Sequence, residues 1–171
     1  MKTLRVIKKM DAYPDKTLGQ GVSVTLSPGG EWLAVGEDNR QTKVYSTADW
    51  KLKYSFQFQD PESFCGTCIS KNQFTQDNKF LIMASKKGPL KKYSLSDGRL
   101  AKTYINEIGK LRSLSLSNDN KIIALATEWE LFTILESSGA MISKITTGKN
   151  EYTEIAFSPL VKTLLLAGTN N

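Results

Sequence analysis

Cys65-Gly66-Thr67-Cys68 is the most conspicuous group of reactive side chains in the sequence. A CxxC spacing can place one thiolate at a helix N-terminus, which lowers its pKa, or can supply two of the four ligands of a zinc ion. Zinc would need two further ligands, and there is no histidine anywhere to furnish them. No strand-to-helix pattern surrounds the pair, so it reads as one loop thiol and one strand thiol. The lack of histidine also removes the usual general base and the Ser-His-Asp and Cys-His routes to a nucleophile. The acids Glu37-Asp38, Asp60, Glu62, Glu107, Glu128 and Glu130 fall in expected loops or turns. Loop acids are usually solvated, whereas acid–base chemistry needs two that converge. Glycines sit at turns such as Pro28-Gly29-Gly30, without a GxGxxG or Walker-type phosphate loop. The expectation is a non-catalytic chain, with no catalytic, metal-ligating or cofactor-binding residue.

What remains is a surface that binds, and a repeat sets out the elements that would hold it. Four segments share one pattern: Val24–Asn39, Asn72–Lys87, Leu114–Trp129 and Ile155–Asn170. Alternating apolar residues come first, as in Val24 and Leu26, Leu114 and Leu116, or Ile155 and Phe157. A polar turn of Ser, Pro, Asp, Asn or Gly follows. A short apolar strand then ends in a small residue: Gly36, Ala84, Ala126, Ala167. That small residue recurs at intervals of 48, 42 and 41 residues. Asn72 breaks the pattern, since it stands where the other units carry Val, Leu or Ile. Two more strand-like runs follow each of the first three segments: 42–46 and 51–58, 90–94 and 99–105, 131–135 and 140–146. Period-2 runs bounded by turn residues are strands, and no helical periodicity competes. The predicted fold class is all-β. Units of four antiparallel strands at a period near 40–45 are what propeller blades produce.

Composition bounds the remainder. The chain has 171 residues, 40% hydrophobic and 23% charged, which is ordinary for one globular domain. The longest apolar runs, Phe80–Ala84 and Thr163–Gly168, are strand-sized, far from the roughly 18 residues of a membrane helix. The N-terminal MKTLRVIKKM has no apolar segment or cleavage site of a secretory signal. Two cysteines are too few for a disulfide framework, which points to a reducing intracellular compartment, the cytoplasm first and the nucleus second. The net charge is +6. A basic balance can serve nucleic acid, but here the charge is scattered, with Lys8-Lys9, Lys86-Lys87 and Lys91-Lys92 the densest spots.

The segments LSPGGEWLAVGEDN…TKVYS and FTQDNKFLIMASKKGPLKKYSLSDG resemble the WD-repeat family of β-propellers, and the resemblance runs over nearly the whole chain. In that family the third strand ends in Trp-Asp, with a Gly about five residues on. Here the Trp slot holds Tyr45, Tyr93 and Ile134, and the Asp slot holds Ser46, Ser94 and Leu135. The Gly slot holds Trp50, Gly98 and Gly139. The family's Gly-His dipeptide is absent, so its Asp-His-Ser-Trp network cannot form. The resemblance implies one propeller segment over residues 1–171. Its blades lie near 21–58, 65–105 and 109–146, with an incomplete one at 150–171 and an orphan fourth strand at 3–10. Three complete blades plus partial ones make an arc. The arc is part of a longer protein, is completed by another chain or copy, or closes as a small ring.

The resemblance further implies a rim that receives proteins, formed by the loops between second and third strands and the loops leading into first strands. It would collect Arg40, Lys86, Lys87 and Trp129, with Phe64 and Arg112 from the incoming loops. Exposed aromatics and arginines dominate interface hot spots. The expected function is a protein–protein interaction scaffold within a larger propeller or complex. The alternatives are a basic propeller bound to nucleic acid or ribonucleoprotein, and a hydrolytic propeller with a central metal.

Overall fold

The computed structural model describes residues 8–9, 22–37, 41–57, 71–84, 88–146, 151–160 and 163–169. These hold fourteen strands, and among them no helix is long and apolar enough to cross a membrane. The strands form three four-stranded antiparallel meanders and one hairpin. Blade 1 is β1 (Val22–Leu26), β2 (Trp32–Glu37), β3 (Gln41–Ser46) and β4 (Leu52–Gln57). Blade 2 is β5 (Lys71–Phe74), β6 (Phe80–Ala84), β7 (Leu90–Ser94) and β8 (Leu100–Ile105). Blade 3 is β9 (Leu111–Leu116), β10 (Ile122–Thr127), β11 (Glu130–Leu135) and β12 (Met141–Thr146). The hairpin is β13 (Glu151–Phe157) with β14 (Leu164–Thr169). The all-β, four-strand units read from the repeat are therefore present. The orphan strand expected at 3–10 and the CxxC at 65–68 lie outside the described residues.

Turn chemistry fixes the register of each unit. The first turn of blades 1, 2 and 3 closes through an i to i+3 hydrogen bond: Gly30 N–H to Ser27 O at 2.8 Å, Asn78 N–H to Thr75 O at 3.0 Å, Asn120 N–H to Ser117 O at 2.9 Å. Each of those donors has a left-handed backbone, with φ of 76°, 58° and 58°. Gly and Asn are the residues that adopt this conformation most readily. The two asparagines also reach backwards to the preceding blade. Asn78 Oδ1 accepts from Gly29 N–H at 2.9 Å, and Asn120 Oδ1 accepts from Gln76 N–H at 2.8 Å. The third-to-fourth-strand turn places its own left-handed residue at Trp50, Gly98 and Gly139, with φ of 57°, 73° and 81°.

Alternation along each strand gives a blade two apolar faces, and packing them in series builds the arc. Between blades 1 and 2 lie Ala34, Val44 and Phe56 against Phe74, Leu81, Met83 and Leu95. An aromatic stack continues outward, Tyr54 on Phe56 at 5.8 Å and Phe56 on Tyr93 at 4.3 Å between centroids. Between blades 2 and 3 lie Ile82, Ala84 and Leu90 against Leu114, Leu116, Ile123 and Leu125. Ala124, Ala126 and Leu131 receive Ile155 of the hairpin. Each large side chain so buried contributes about 1.5–3 kcal/mol, so the seams between blades carry the stability of the arc.

Polar groups stitch the same seams. Asn72, the residue out of pattern, is buried between blades: its Oδ1 accepts from Thr42 Oγ1 at 3.2 Å and its carbonyl accepts from Thr25 Oγ1 at 3.0 Å. The missing apolar contact is thus replaced by a satisfied polar one. Between blades 2 and 3, the Glu136 carboxylate accepts from Lys92 Nζ and, at 2.6 Å, from Tyr104 Oη. Burial alone would raise the Glu136 pKa; the bonds from Lys92 and Tyr104 and the charges of Lys92 and Lys102 outweigh it and hold the group below its ordinary value. Burial, and then the Glu136 carboxylate, push the Tyr104 hydroxyl far above its ordinary pKa.

Candidate functional site

In blade 3 the turn between the second and third strands and the segment leading into the first strand lie side by side, on the rim expected to bind. Its best described corner is at the β10–β11 turn. Thr127 Oγ1 donates to Glu130 O at 3.2 Å and accepts from Glu130 N–H at 3.1 Å, closing a turn with Glu128 and Trp129 at its tip. The segment before β9 braces it: Glu128 N–H donates to Lys110 O at 3.0 Å, and Ile108 N–H donates to Gly88 O of blade 2 at 3.0 Å. Ile108 is fully buried and anchors that segment.

The side chains complete the brace. Glu128 is buried, and its carboxylate meets Lys110 Nζ at 2.6 Å and Arg112 Nη2 at 3.4 Å. A buried carboxylate is tolerated when cations hold it. Glu130 pairs with Lys144 Nζ of β12 at 2.7 Å. Trp129 sits between these two ion pairs and is 51% exposed. With both flanking acids neutralised, the corner presents a large aromatic surface on a fixed backbone, with a slight excess of positive charge around it. An exposed Trp in such a frame is a ready anchor for a partner's surface.

The structure brings two of the six expected rim residues, Arg112 and Trp129, onto this one corner. Arg112 is the second residue of β9 rather than part of an incoming loop, and it spends its guanidinium on Glu128. Arg40, Phe64, Lys86 and Lys87 lie outside the described residues. Sequence reasoning placed Glu128 among solvated loop acids; it is buried, because the register pairs Thr127 with Leu111 and so sets Lys110 and Arg112 beside it. Lys110 was missed altogether. The available signal was a pair of cations flanking the first residue of one strand, with an acid just past the end of its hairpin partner. Among the described residues, no three His, Cys, Asp or Glu side chains come together in a metal-binding group.

No protein family matches the sequence, and no curated protein matches it. Among solved structures, the β-propeller domain of Cps50 (Swd1) from Myceliophteria thermophila superposes with a TM-score of 0.67 at 15% identity. The match covers 86% of this chain and 50% of that one, so the chain spans half the length of the propeller it matches. The shared feature is the fold: a series of four-stranded antiparallel blades of the β-propeller kind.

Proposed function

We propose that this chain is a non-catalytic protein-interaction scaffold, one arc of a propeller in a larger polypeptide or assembly, that engages protein partners through the rim corner at Trp129. The observation that carries the reading is the half-exposed Trp129 on a turn fixed by the Glu128–Lys110–Arg112 cluster. A tip ordered before binding loses little conformational entropy when a partner lands on it. The propeller likeness supports interaction in general and leaves the partner to be found.

Site-specific photo-cross-linking tests the reading. A photoreactive amino acid replaces Trp129 in the full chain, and a second protein carries it at Leu100, an exposed outer-strand position. Expressed in the source cells, the first should capture a discrete protein that the second does not. Equal and diffuse labelling from both positions sinks the assignment of the rim corner. Predominant labelling of RNA rather than protein would replace it with the nucleic-acid reading.

A further inference from the structure

The rim corner sorts its charges by depth. Glu128 keeps 10% of its side chain in water, while the two cations that hold it keep 50% at Lys110 and 36% at Arg112. The second pair is sorted the same way, with Glu130 at 35% and Lys144 at 47%. In each pair the acid is the more buried member and the cation the more exposed one. Three cations against two carboxylates leave a positive surplus, and that surplus lies at the surface. The half-exposed indole of Trp129 stands between the two pairs.

A local irregularity of the strand sets this arrangement. In β9, Leu111 pairs with Thr127 and Ser113 with Ala126, so Arg112 is the extra residue of a bulge. Bulges re-aim side chains, and this one delivers the guanidinium to Glu128 at the tip of the turn. Other acids among the described side chains do not cancel the surplus. Glu154 of β13 spends its carboxylate on the Ser113 hydroxyl, and Glu107 lies in the chain beyond the buried Ile108.

Resting on the rim reading and deepening it, we infer that the partner segment taken by this corner is acidic: a short stretch of Asp and Glu around an apolar side chain that lies on the Trp129 indole. An ammonium group has three N–H donors. Lys110 and Lys144 therefore keep their own acids and still offer charged donors to a ligand carboxylate on either side of the ring. Complementary charge of this kind selects a partner and guides its approach more than it adds affinity, and the indole supplies the anchoring contact. A nucleic-acid strand suits the corner less well, because a phosphate backbone is held by cations spread along its length. Here the cations gather in one corner, and the segments beside them present the uncharged Gly88, Ile108 and Gly109.

Fluorescence anisotropy tests this, with the full chain titrated into a short fluorescein-labelled peptide of Asp and Glu around a central Phe. Two further probes are the same peptide with Asn and Gln in place of the acids, and a labelled uridine oligonucleotide. The acidic peptide should bind about tenfold more tightly than its amide counterpart, as three ion pairs of ordinary surface strength provide. Trp129→Ala should weaken it by about tenfold or more. Lys144→Gln should weaken it by about two- to fivefold and Glu130→Gln should tighten it by about as much, the range of one exposed ion pair. If the Glu130–Lys144 pair only shaped the turn, both substitutions would weaken binding. Far-UV circular dichroism should stay native in both, since neither side chain is buried. Equal binding of the two peptides, binding of neither, the same loss from both charge variants, or preference for the oligonucleotide each overturns the inference. The rim reading is decided separately by the cross-linking. A protein captured at position 129 through a neutral or basic segment would keep the rim and discard the acidic partner.

Discussion

Gly98 offers a direct test of how blades 1 and 2 meet. A Cβ built at Gly98 would stand 2.6 Å from Cδ1 and 2.7 Å from Cε1 of the Tyr54 ring, which belongs to the preceding blade. That ring is held from its far end, since Tyr54 Oη donates to Leu95 O at 2.9 Å. It therefore has nowhere to retreat without breaking the Tyr54–Phe56–Tyr93 stack. Gly30 supplies the control: its φ is 76° against 73° at Gly98, and a Cβ there meets nothing within 4 Å. Alanine at Gly30 incurs only the left-handed backbone cost of about 1–2 kcal/mol, offset by about 0.4–1 kcal/mol of unfolded-state entropy. The net loss is below about 1.5 kcal/mol. At Gly98 an overpacking cost of about 1–3 kcal/mol adds to this, for a total near 3 kcal/mol. For a chain of this size about 1 kcal/mol shifts Tm by about 2–4 °C. Gly98→Ala should thus lower Tm by about 6–12 °C, and Gly30→Ala by no more than about 6 °C. Thermal unfolding followed by far-UV circular dichroism reads both. Equal shifts at the two positions would mean that the Tyr54 ring does not rest on Gly98, and the packing described for the first seam would be wrong.

Three further outcomes follow from the polar groups. Glu136 has its folded pKa below the ordinary value of 4.5, so the unfolded state binds more protons in that window. Its stabilising contribution is complete above pH 4.5 and is lost as pH falls through the folded value; the urea-midpoint gap between wild type and Glu136→Gln should be wide at pH 7 and close in acid, and a gap independent of pH contradicts the assignment. Glu128→Ala strips the partner from Lys110 and Arg112; because both cations remain partly solvated, the loss should be about 1–2 kcal/mol rather than the 3–5 of a fully buried pair, and Trp129 should show lower fluorescence anisotropy as the turn loosens. Asn120→Ala removes the bond to Gln76 and adds left-handed strain, for about 2 kcal/mol, whereas Asn120→Gly loses the bond alone, for about 1 kcal/mol; equal chemical-denaturation midpoints for the two would separate the turn from its backward contact.

The features legible in the sequence were those written locally. Apolar alternation gave the strands, and the slot shared by Trp50, Gly98 and Gly139 proved to be one backbone position, left-handed in all three blades. What escaped lay between blades. Asn78 and Gly29 are 49 residues apart, and Asn120 and Gln76 are 44 apart. No short window relates such residues. Asn72 looked like a defect in the pattern because the Thr42 hydroxyl that satisfies it belongs to another blade. Glu128 was misjudged for the same reason: its burial depends on a strand register and on two cations, Lys110 just before β9 and Arg112 within it. At the candidate site, then, composition marked Trp129 and Arg112, but their relation through Glu128 required the fold.

The backward-reaching asparagines have a consequence for how such a chain lengthens. Each of Asn78 and Asn120 lies in the first turn of its own blade and grips the backbone of the one before. Its target is a main-chain N–H, which almost any residue presents; at Pro28, where that group is missing, the grip moves one residue on, to Gly29. A copied unit therefore arrives with its fastening included and asks for no matching change in the unit it follows. Tandem duplication of a segment such as 71–110, which includes the connection into the next first strand, would extend the array in register, while its side chains drift freely elsewhere. The attachment is inherited with the part.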